Sequence, residues 1–224
     1  MSNIKLVHSG GNSVSLTTPT SNPTSNRTLK LPGNADGTIL SSTSGSSIRV
    51  LEQFYTPCDG STIATAKGNI TVENVTQFQN MTTTFEDITG STLTYQPPDG
   101  TTQVIYEFGC NISGNGSGSS NSIFSSQIVL NGNAILHSAI TDRLGASYAD
   151  AYRTIKFGIN IGGSTSTDTG RLASWNSGIV VKVQGAEYGS NNQSRAHCLL
   201  NFGSSSPLRF NMPQVGITAI GVPS

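Results

Sequence analysis

The chain has 224 residues, a formal net charge of zero and only 11% charged residues. It contains no basic cluster with which to neutralise phosphates, so its composition argues against a nucleic-acid partner. No apolar run approaches the ~20 residues that span a bilayer, and the N-terminus lacks the features of a secretory signal, so we expect no membrane insertion. Short segments rich in Val, Ile, Thr and Tyr, with few helix formers, predict an all-β chain.

The first forty residues are typical of an attachment arm rather than of a folded core. They contain three short alternating segments, which Gly-Gly, Asn-Pro and Asp-Gly pairs separate. The alternation predicts that the aliphatic side chains share one side of an extended chain: Ile4, Leu6, Val14, Leu16, Leu29, Leu31 and Ile39. So few side chains do not make a self-sufficient core, and we expect them to cover another protein. We therefore predict an attachment arm at residues 1–40 and a flexible Ser/Gly linker at residues 41–49.

Residues 50–224 are predicted to form one antiparallel β-sandwich, because strand-like segments follow one another at the intervals expected for that fold. These segments lie at residues 48–55, 70–75, 81–85, 92–95, 104–112, 123–130, 134–137, 153–161, 178–185, 196–202 and 214–222. Asn131-Gly132 predicts a type I′ hairpin turn, and residues 97–100 predict a second tight turn. A helical turn is considered for residues 141–152 alone, and Gly145 disfavours it. The long polar loops favour a jelly roll among the sandwiches.

Part of the arm carries a family resemblance. Its stretches are His8-Ser9-Gly10-Gly11-Asn12, residues 18–23, Arg27-Thr28-Leu29 with Leu31-Pro32, and Asp36-Gly37-Thr38. With them, residues 6–40 resemble the N-terminal segment of virion structural proteins of tailed bacteriophages, especially marine cyanophages. Members of that group are tail fibres, head fibres and capsid decoration proteins whose C-terminal parts are unrelated. The resemblance implies a virion component that docks through its first forty residues.

A second stretch carries a looser resemblance. It runs from Asp87-Ile88-Thr89-Gly90 through Pro97-Pro98-Asp99-Gly100 to Phe108. This stretch is similar to the opening of tumour-necrosis-factor-like or C1q-like jelly rolls in phage structural proteins, with residues 217–222 as the last, central strand. The resemblance implies a homotrimer whose last strands pack near the threefold axis. The subunit interface would then contain Val215, Ile217, Ile220 and Val222.

Residue types that commonly catalyse reactions or bind metals are few in this sequence and lie far apart. Cys58, Cys110 and Cys198 are an odd number without C-x-x-C spacing, which favours free thiols and fits assembly in a reducing host cytoplasm. His197 and Cys198 are neighbours on a predicted strand, where their side chains would point to opposite faces and form no nucleophilic pair.

Acidic residues give no clear site either. Glu86-Asp87 and Asp142-Arg143 lack the context of a glycosidase carboxylate pair, and the loop around Asp168 lacks the carboxylates that calcium prefers. We therefore predict no enzyme, no cofactor and no metal. A polysaccharide depolymerase would require a buried carboxylate pair.

Four aromatic residues in or beside predicted loops are candidates for stacking on sugars: Trp175, Tyr148, Tyr152 and Tyr188. The alternative is that they plug the ends of the sandwich or lie at a subunit interface, since large aromatics are chiefly core and interface residues.

These observations together favour a capsid decoration (cement) or head-fibre protein. It would dock on the major capsid protein at the capsid surface and project a homotrimeric β domain. The chain is compact and lacks the repetitive shaft of a long tail fibre. The alternative is a tail fibre or spike, held by a tail or adaptor protein, that binds host cell-surface polysaccharide.

Overall fold

The structure is a computed structural model that describes residues 4–7, 13–16, 48–114, 121–146, 149–189, 194–199 and 209–222. Within these ranges the helices and strands consist of β-strands and one short 3₁₀ turn, which turns and irregular segments connect. The chain divides into two compact units, Met1–Ser41 and Ser42–Ser224. The all-β prediction is therefore confirmed.

The N-terminal unit contains a two-stranded antiparallel sheet. Its strands are β1 (Ile4–Val7) and β2 (Ser13–Leu16). The register sets Ile4 opposite Leu16 and Leu6 opposite Val14. The aliphatic residues of the first two predicted segments thus form two directly opposed pairs.

The second unit contains sixteen strands in the described ranges. They are β3 (Arg49–Pro57), β4 (Thr62–Thr65), β5 (Gly68–Thr71), β6 (Gln79–Asn80), β7 (Glu86–Asp87), β8 (Leu93–Tyr95), β9 (Thr101–Gly114), β10 (Asn121–Leu130), β11 (Asn133–Ala134), β12 (Ile140–Ala146), β13 (Ala149–Asn160), β14 (Ile179–Glu187), β15 (Ser194–Ala196), β16 (Cys198–Leu199), β17 (Arg209–Phe210) and β18 (Gln214–Gly221). The 3₁₀ turn, Leu136–Ser138, follows β11.

Two antiparallel sheets form the sandwich. The first has the order β3-β18-β9-β13, and β15 and β6 extend it along the end of β9. The second has the order β8-β14-β10-β12, with β7 and β11 beside the same strands. Numbered along the chain, the eight principal strands lie in the orders 1-8-3-6 and 2-7-4-5. This is the strand order of a jelly roll, so that prediction is confirmed.

Strand β9 shows how the sequence builds the core. Val104, Tyr106, Phe108, Cys110 and Ile112 alternate along it, and each is fully buried. Alternate side chains of a strand point to one face, so these five line the interior of the sandwich. The intervening residues point to the outer face of the first sheet.

Local geometry explains which turns and strands the sequence predicts well. Asn131 and Gly132 have φ values of 51° and 82°, as a type I′ turn requires, and they join β10 to β11. The helical turn considered for residues 141–152 is wrong, because β12 and β13 occupy this region. Residues 81–85 form no strand and instead connect β6 to β7. Residues 200–202 of the predicted strand at 196–202 lie outside the described residues, and the described part is interrupted, since His197 has a φ of 60° between β15 and β16.

Candidate functional site

The outer face of the first sheet carries an unusual set of side chains, which we call the tyrosine face. Register places its residues in rows across β3, β18, β9 and β13. The rows are Val50-Ile220-Gln103-Asn160, Gln53-Thr218-Ile105-Gly158, Tyr55-Gly216-Glu107-Lys156, Gly109-Thr154 and Asn111-Tyr152.

Two tyrosines lie down over glycines on this face. A Cβ atom built on Gly109 would lie 2.7 Å from the Tyr55 hydroxyl and 2.9 Å from Cζ of Tyr152. A Cβ atom on Gly216 would collide with the ring of Tyr55. The two rings therefore occupy the space that side chains at these positions would fill, which accounts for glycine at both.

The two tyrosine hydroxyls lie together above Gly109, near the Glu107 carboxylate of the neighbouring row. A side-chain hydrogen bond joins Tyr55 to Tyr152. Burial, this hydrogen bond and the nearby Glu107 carboxylate raise the pKa of Tyr55 well above its ordinary value, so the phenol stays neutral. Glu107 is itself paired with Lys156, with 3.1 Å between Oε2 and Nζ. The face therefore combines two fixed phenol groups with one neutralised ion pair.

The structure corrects part of the predicted subunit interface. Val215 and Ile217 are 0% and 1% exposed and belong to the core of the sandwich. Because they point inward, they are not available to a second subunit. Ile220, on the opposite side of β18, and Val222, just beyond the strand, are both half-buried. The prediction that the last strand is central is confirmed, because β18 lies between β3 and β9.

The predicted sugar-stacking residues separate into different environments. Trp175 is 3% exposed, its Nε1 donates a hydrogen bond of 2.9 Å to the Tyr95 carbonyl oxygen, and its ring meets Tyr95 edge to face. It is therefore a core residue and not a sugar contact, as the alternative held. Tyr188 is 76% exposed and Tyr152 is 51% exposed. Tyr148 lies outside the described residues.

The predicted docking residues lie in the N-terminal unit. Ile4, Leu6, Val14 and Leu16 lie in the β1–β2 hairpin, as described above. Leu29, Leu31 and Ile39, and most of the 41–49 linker, lie outside the described residues.

The cysteines and His197 do not form a reactive pair. All three cysteines are free and buried, and burial raises the pKa of Cys58 to about 12. The expectation that His197 and Cys198 face opposite sides of one strand is wrong, because the backbone turns at His197 and both residues are buried. Burial lowers the pKa of His197 to about 4 and raises that of Cys198, so an uncharged imidazole lies next to a protonated thiol. This is the opposite of the ionisation that a nucleophilic thiolate needs.

The acidic residues act in structural contacts. Asp87 pairs with Lys182 at 2.5 Å, and Asp142 lies 3.5 Å from Nε of Arg153. Asp168 accepts a backbone hydrogen bond from His137 through its carbonyl oxygen. In the ranges that the structure describes, no group of three His, Cys, Asp or Glu side chains is placed to hold a metal ion. No helix among these residues is long and apolar enough to cross a bilayer.

Sequence reasoning missed Tyr55 and the glycines beneath it. Tyr55 lies in a predicted strand, and its partner Tyr152 is 97 positions away, so their contact depends on the register of four strands, β3, β18, β9 and β13. A signal was nevertheless present in Gly109 and Gly216, because glycine inside a strand marks the close approach of another group.

Comparisons with known proteins leave the family open. No protein-family model matches the sequence, and no curated protein matches it. Among solved structures, one similar chain comes from the cryo-EM structure of mud crab dicistrovirus. It is 10% identical, with 99% of this chain and 91% of that chain covered, and a TM-score of 0.24.

Proposed function

We propose that this chain is a non-enzymatic structural protein of a tailed-bacteriophage virion. In this proposal residues 1–40 attach it to the particle and the jelly roll projects outward as a homotrimer. A capsid decoration (cement) or head-fibre role fits best, with the major capsid protein as partner and assembly in the host cytoplasm. The resemblance of residues 6–40 to phage virion proteins supplies the class.

One observation carries the proposal: the jelly roll has its own core, while the N-terminal unit contains a small hairpin. The buried core cluster of the described residues runs from Cys58 to Ile217. The hairpin contributes two opposed aliphatic pairs, Ile4 with Leu16 and Leu6 with Val14. A lone two-stranded hairpin is at best marginally stable in water. The hairpin therefore gains stability when those four residues pack on another protein.

The proposed attachment combines two physical effects. A hairpin has unpaired outer edges, which can add to the edge of a partner's sheet through backbone hydrogen bonds. Each arm alone buries little apolar surface and binds weakly. Three arms on one trimer bind as a unit, because the first contact raises the effective concentration of the other two, and this gains ~10²–10⁴ in affinity.

The test uses the full chain and particles assembled without it. One variant carries Asp at Ile4, Leu6, Val14 and Leu16. Its matched control carries Asp at Lys5, Ser13 and Ser15, the alternate positions of the same hairpin. We expect wild type and control to co-sediment with particles and the first variant to remain in solution. Particle binding by the first variant at the wild-type level would refute the docking role of the arm.

The exposure of Tyr188 favours a second candidate, a tail fibre or spike that binds host cell-surface glycans. Quantifying the protein in purified virions separates the two roles. A copy number that matches the capsid lattice supports decoration, whereas a number that matches the tail supports a fibre or spike.

A further inference from the structure

We propose that a recess at one end of the sandwich, lined by residues 74–80 and Thr89, binds a neutral saccharide. The recess has a volume of about 430 Å³, within the ~300–1,000 Å³ of typical ligand sites. This inference deepens the second candidate function, glycan binding, by giving it a site. It relies on that candidate for the host cell surface as the source of the saccharide.

The recess lies at the end of the first sheet where β3 and β9 end and β18 begins. Its first part is held there by two backbone hydrogen bonds, from Val75 to the Cys58 carbonyl oxygen and from Cys58 to the Pro213 carbonyl oxygen. Strand β6, which contains Gln79 and Asn80, pairs with β15, and β15 pairs with the end of β9. The lining segment is therefore fixed to the sandwich on both sides of the recess.

The lining of the recess is uncharged and rich in amides. All eight described residues that line it are neutral, and four of them have side-chain amides: Asn74, Gln77, Gln79 and Asn80. An amide offers a hydrogen-bond donor beside an acceptor, which matches neighbouring sugar hydroxyls that each donate and accept. Since these described residues hold no charge that could pair with an anion or a cation, the lining favours a neutral ligand.

Hydroxyls and an aromatic ring complete the lining. Thr76 and Thr89 are exposed, and Phe78 is half-buried. An aromatic residue gives the C–H face of a sugar ring an apolar surface to stack on. A bound peptide instead gains specificity from pockets that receive its alternate side chains. The amides and hydroxyls here therefore fit a saccharide better than a peptide.

Hydrogen bonds hold part of the lining in place before a ligand binds. Gln79 Nε2 donates to the Asp87 carbonyl oxygen at 2.9 Å, and Gln79 Oε1 accepts from the Thr89 N–H at 2.9 Å. Asn80 Oδ1 accepts from Arg195 Nε at 3.0 Å, which sets the orientation of that amide. Groups that are already ordered lose little conformational entropy on binding.

Two exposed aromatic residues lie in the segments next to the recess. Phe85, 39% exposed, lies two residues before Asp87, whose carbonyl oxygen is described above. Tyr188, 76% exposed, follows Glu187, and the Glu187 N–H donates to the Thr82 carbonyl oxygen just beyond β6. These rings offer further stacking surface in the neighbouring segments for a ligand longer than one sugar.

The experiment applies the full chain to surfaces that are each coated with one polymer. Dextran, galactan and mannan are the neutral saccharides, polygalacturonate is an anionic one and casein is a polypeptide. We expect the wild type to bind a neutral polysaccharide. Gln77→Ala and Asn74→Ala should weaken that binding about tenfold or more, since each removes a donor and an acceptor. The matched controls, Gln53→Ala in β3 and Asn69→Ala in β5, change exposed residues of the same types outside the recess and should bind like the wild type.

All four substituted residues are exposed, so the circular dichroism spectrum and thermal unfolding of each variant should match those of the wild type. A wild type that binds none of the neutral polysaccharides, or that prefers polygalacturonate or casein, would overturn the proposal. Recess variants that bind a neutral polysaccharide as well as the wild type does would overturn this site and leave glycan binding as a function. The arm variants change particle binding and leave the recess intact, so failure of the recess and failure of the docking role are distinguishable.

Discussion

The outer faces of the two sheets differ in the side chains they carry and in the contacts those side chains make. On the second sheet, Asp87 accepts hydrogen bonds from Lys182 and Gln184, Gln127 donates to Gln184, and Ser125 bonds to Thr141. These cross-strand pairs form a polar surface suited to water. The first sheet also has cross-strand pairs, the Gln103–Asn160 hydrogen bond and the Glu107–Lys156 ion pair, but it adds two tyrosine rings that lie over glycines.

The difference teaches which features the fold requires. Both sheets place alternate apolar residues in one common core. The fold therefore depends on the inner faces of the sheets and sets few requirements on the outer ones. A polar outer face is the ordinary outcome for a sheet exposed to water. The tyrosine face adds to such a surface two partly exposed aromatic rings, Tyr55 and Tyr152, which rest on glycine backbone and lie outside the core cluster.

The largest expected effect is a loss of stability at acid pH that originates in the first sheet. His197 follows β15 in the first sheet, is fully buried, and has its pKa lowered from 6.5 to about 4, chiefly by burial. Its unfolded form binds the proton more readily, so stability is complete above pH 6.5 and falls as pH drops toward 4. The loss from this group reaches about 3 kcal/mol.

Chemical denaturation between pH 7 and pH 4 checks this expectation. His197→Asn removes the titrating group and keeps a residue that tolerates positive φ. The carboxylates titrate in both proteins. The contribution of His197 is therefore the difference between the pH dependences of the two unfolding free energies. Identical pH dependence in the two proteins would show that His197 is not the acid-sensitive group.

The glycine layer beneath the tyrosines gives the next largest effect. In Gly216→Ala the new methyl lies 2.6 Å from the carbonyl oxygen of Phe54, which is backbone and does not yield easily. We expect a loss of about 1–3 kcal/mol of unfolding free energy. Gly158→Ala, on the same face, meets its nearest atom, Nε2 of Gln103, at 3.5 Å and should leave stability unchanged or slightly raised. Equal destabilisation by both substitutions in urea titrations would contradict this reading of the face.

The ion pairs on the two faces give the smallest and most selective effect. Asp87→Asn removes the partner of Lys182, and Glu107→Gln removes the partner of Lys156. Both pairs are partly exposed, so each change should cost the monomer no more than ~1 kcal/mol. Asp87 accepts hydrogen bonds from both Lys182 and Gln184, whereas Glu107 has its ion pair with Lys156, so Asp87→Asn should be the more costly of the two changes. Urea titrations of the two variants, side by side, measure this difference, and a larger loss for Glu107→Gln would contradict it.

Local patterns in the sequence predict a large part of the fold. The alternation on β9, the Asn131-Gly132 turn and the central position of β18 follow from strand periodicity, turn chemistry and the resemblance. Periodicity divides a strand into two faces but does not say which face meets the core. Val215 and Ile217, which the resemblance implies at a subunit interface, lie in the interior.

Features that depend on distant residues are harder to predict. Trp175 is buried because its Nε1 donates a hydrogen bond to the Tyr95 carbonyl oxygen and its ring packs against the Tyr95 ring. Tyr95 lies 80 residues earlier in the chain, so no local pattern shows this contact. The turn at His197 interrupts an apolar run that otherwise resembles a strand, and its left-handed φ leaves no mark in the composition. The contact between Tyr55 and Tyr152 depends on a register that joins four strands.

Locating the protein on intact virions tests the central claim most directly. The measurement is electron cryomicroscopy of particles that carry a tagged copy of the full chain, compared with particles that lack it. The account predicts additional threefold density at repeated sites on the capsid surface, connected to the shell by the N-terminal arm. Tag density confined to the tail, or no difference between the two kinds of particle, would contradict the account.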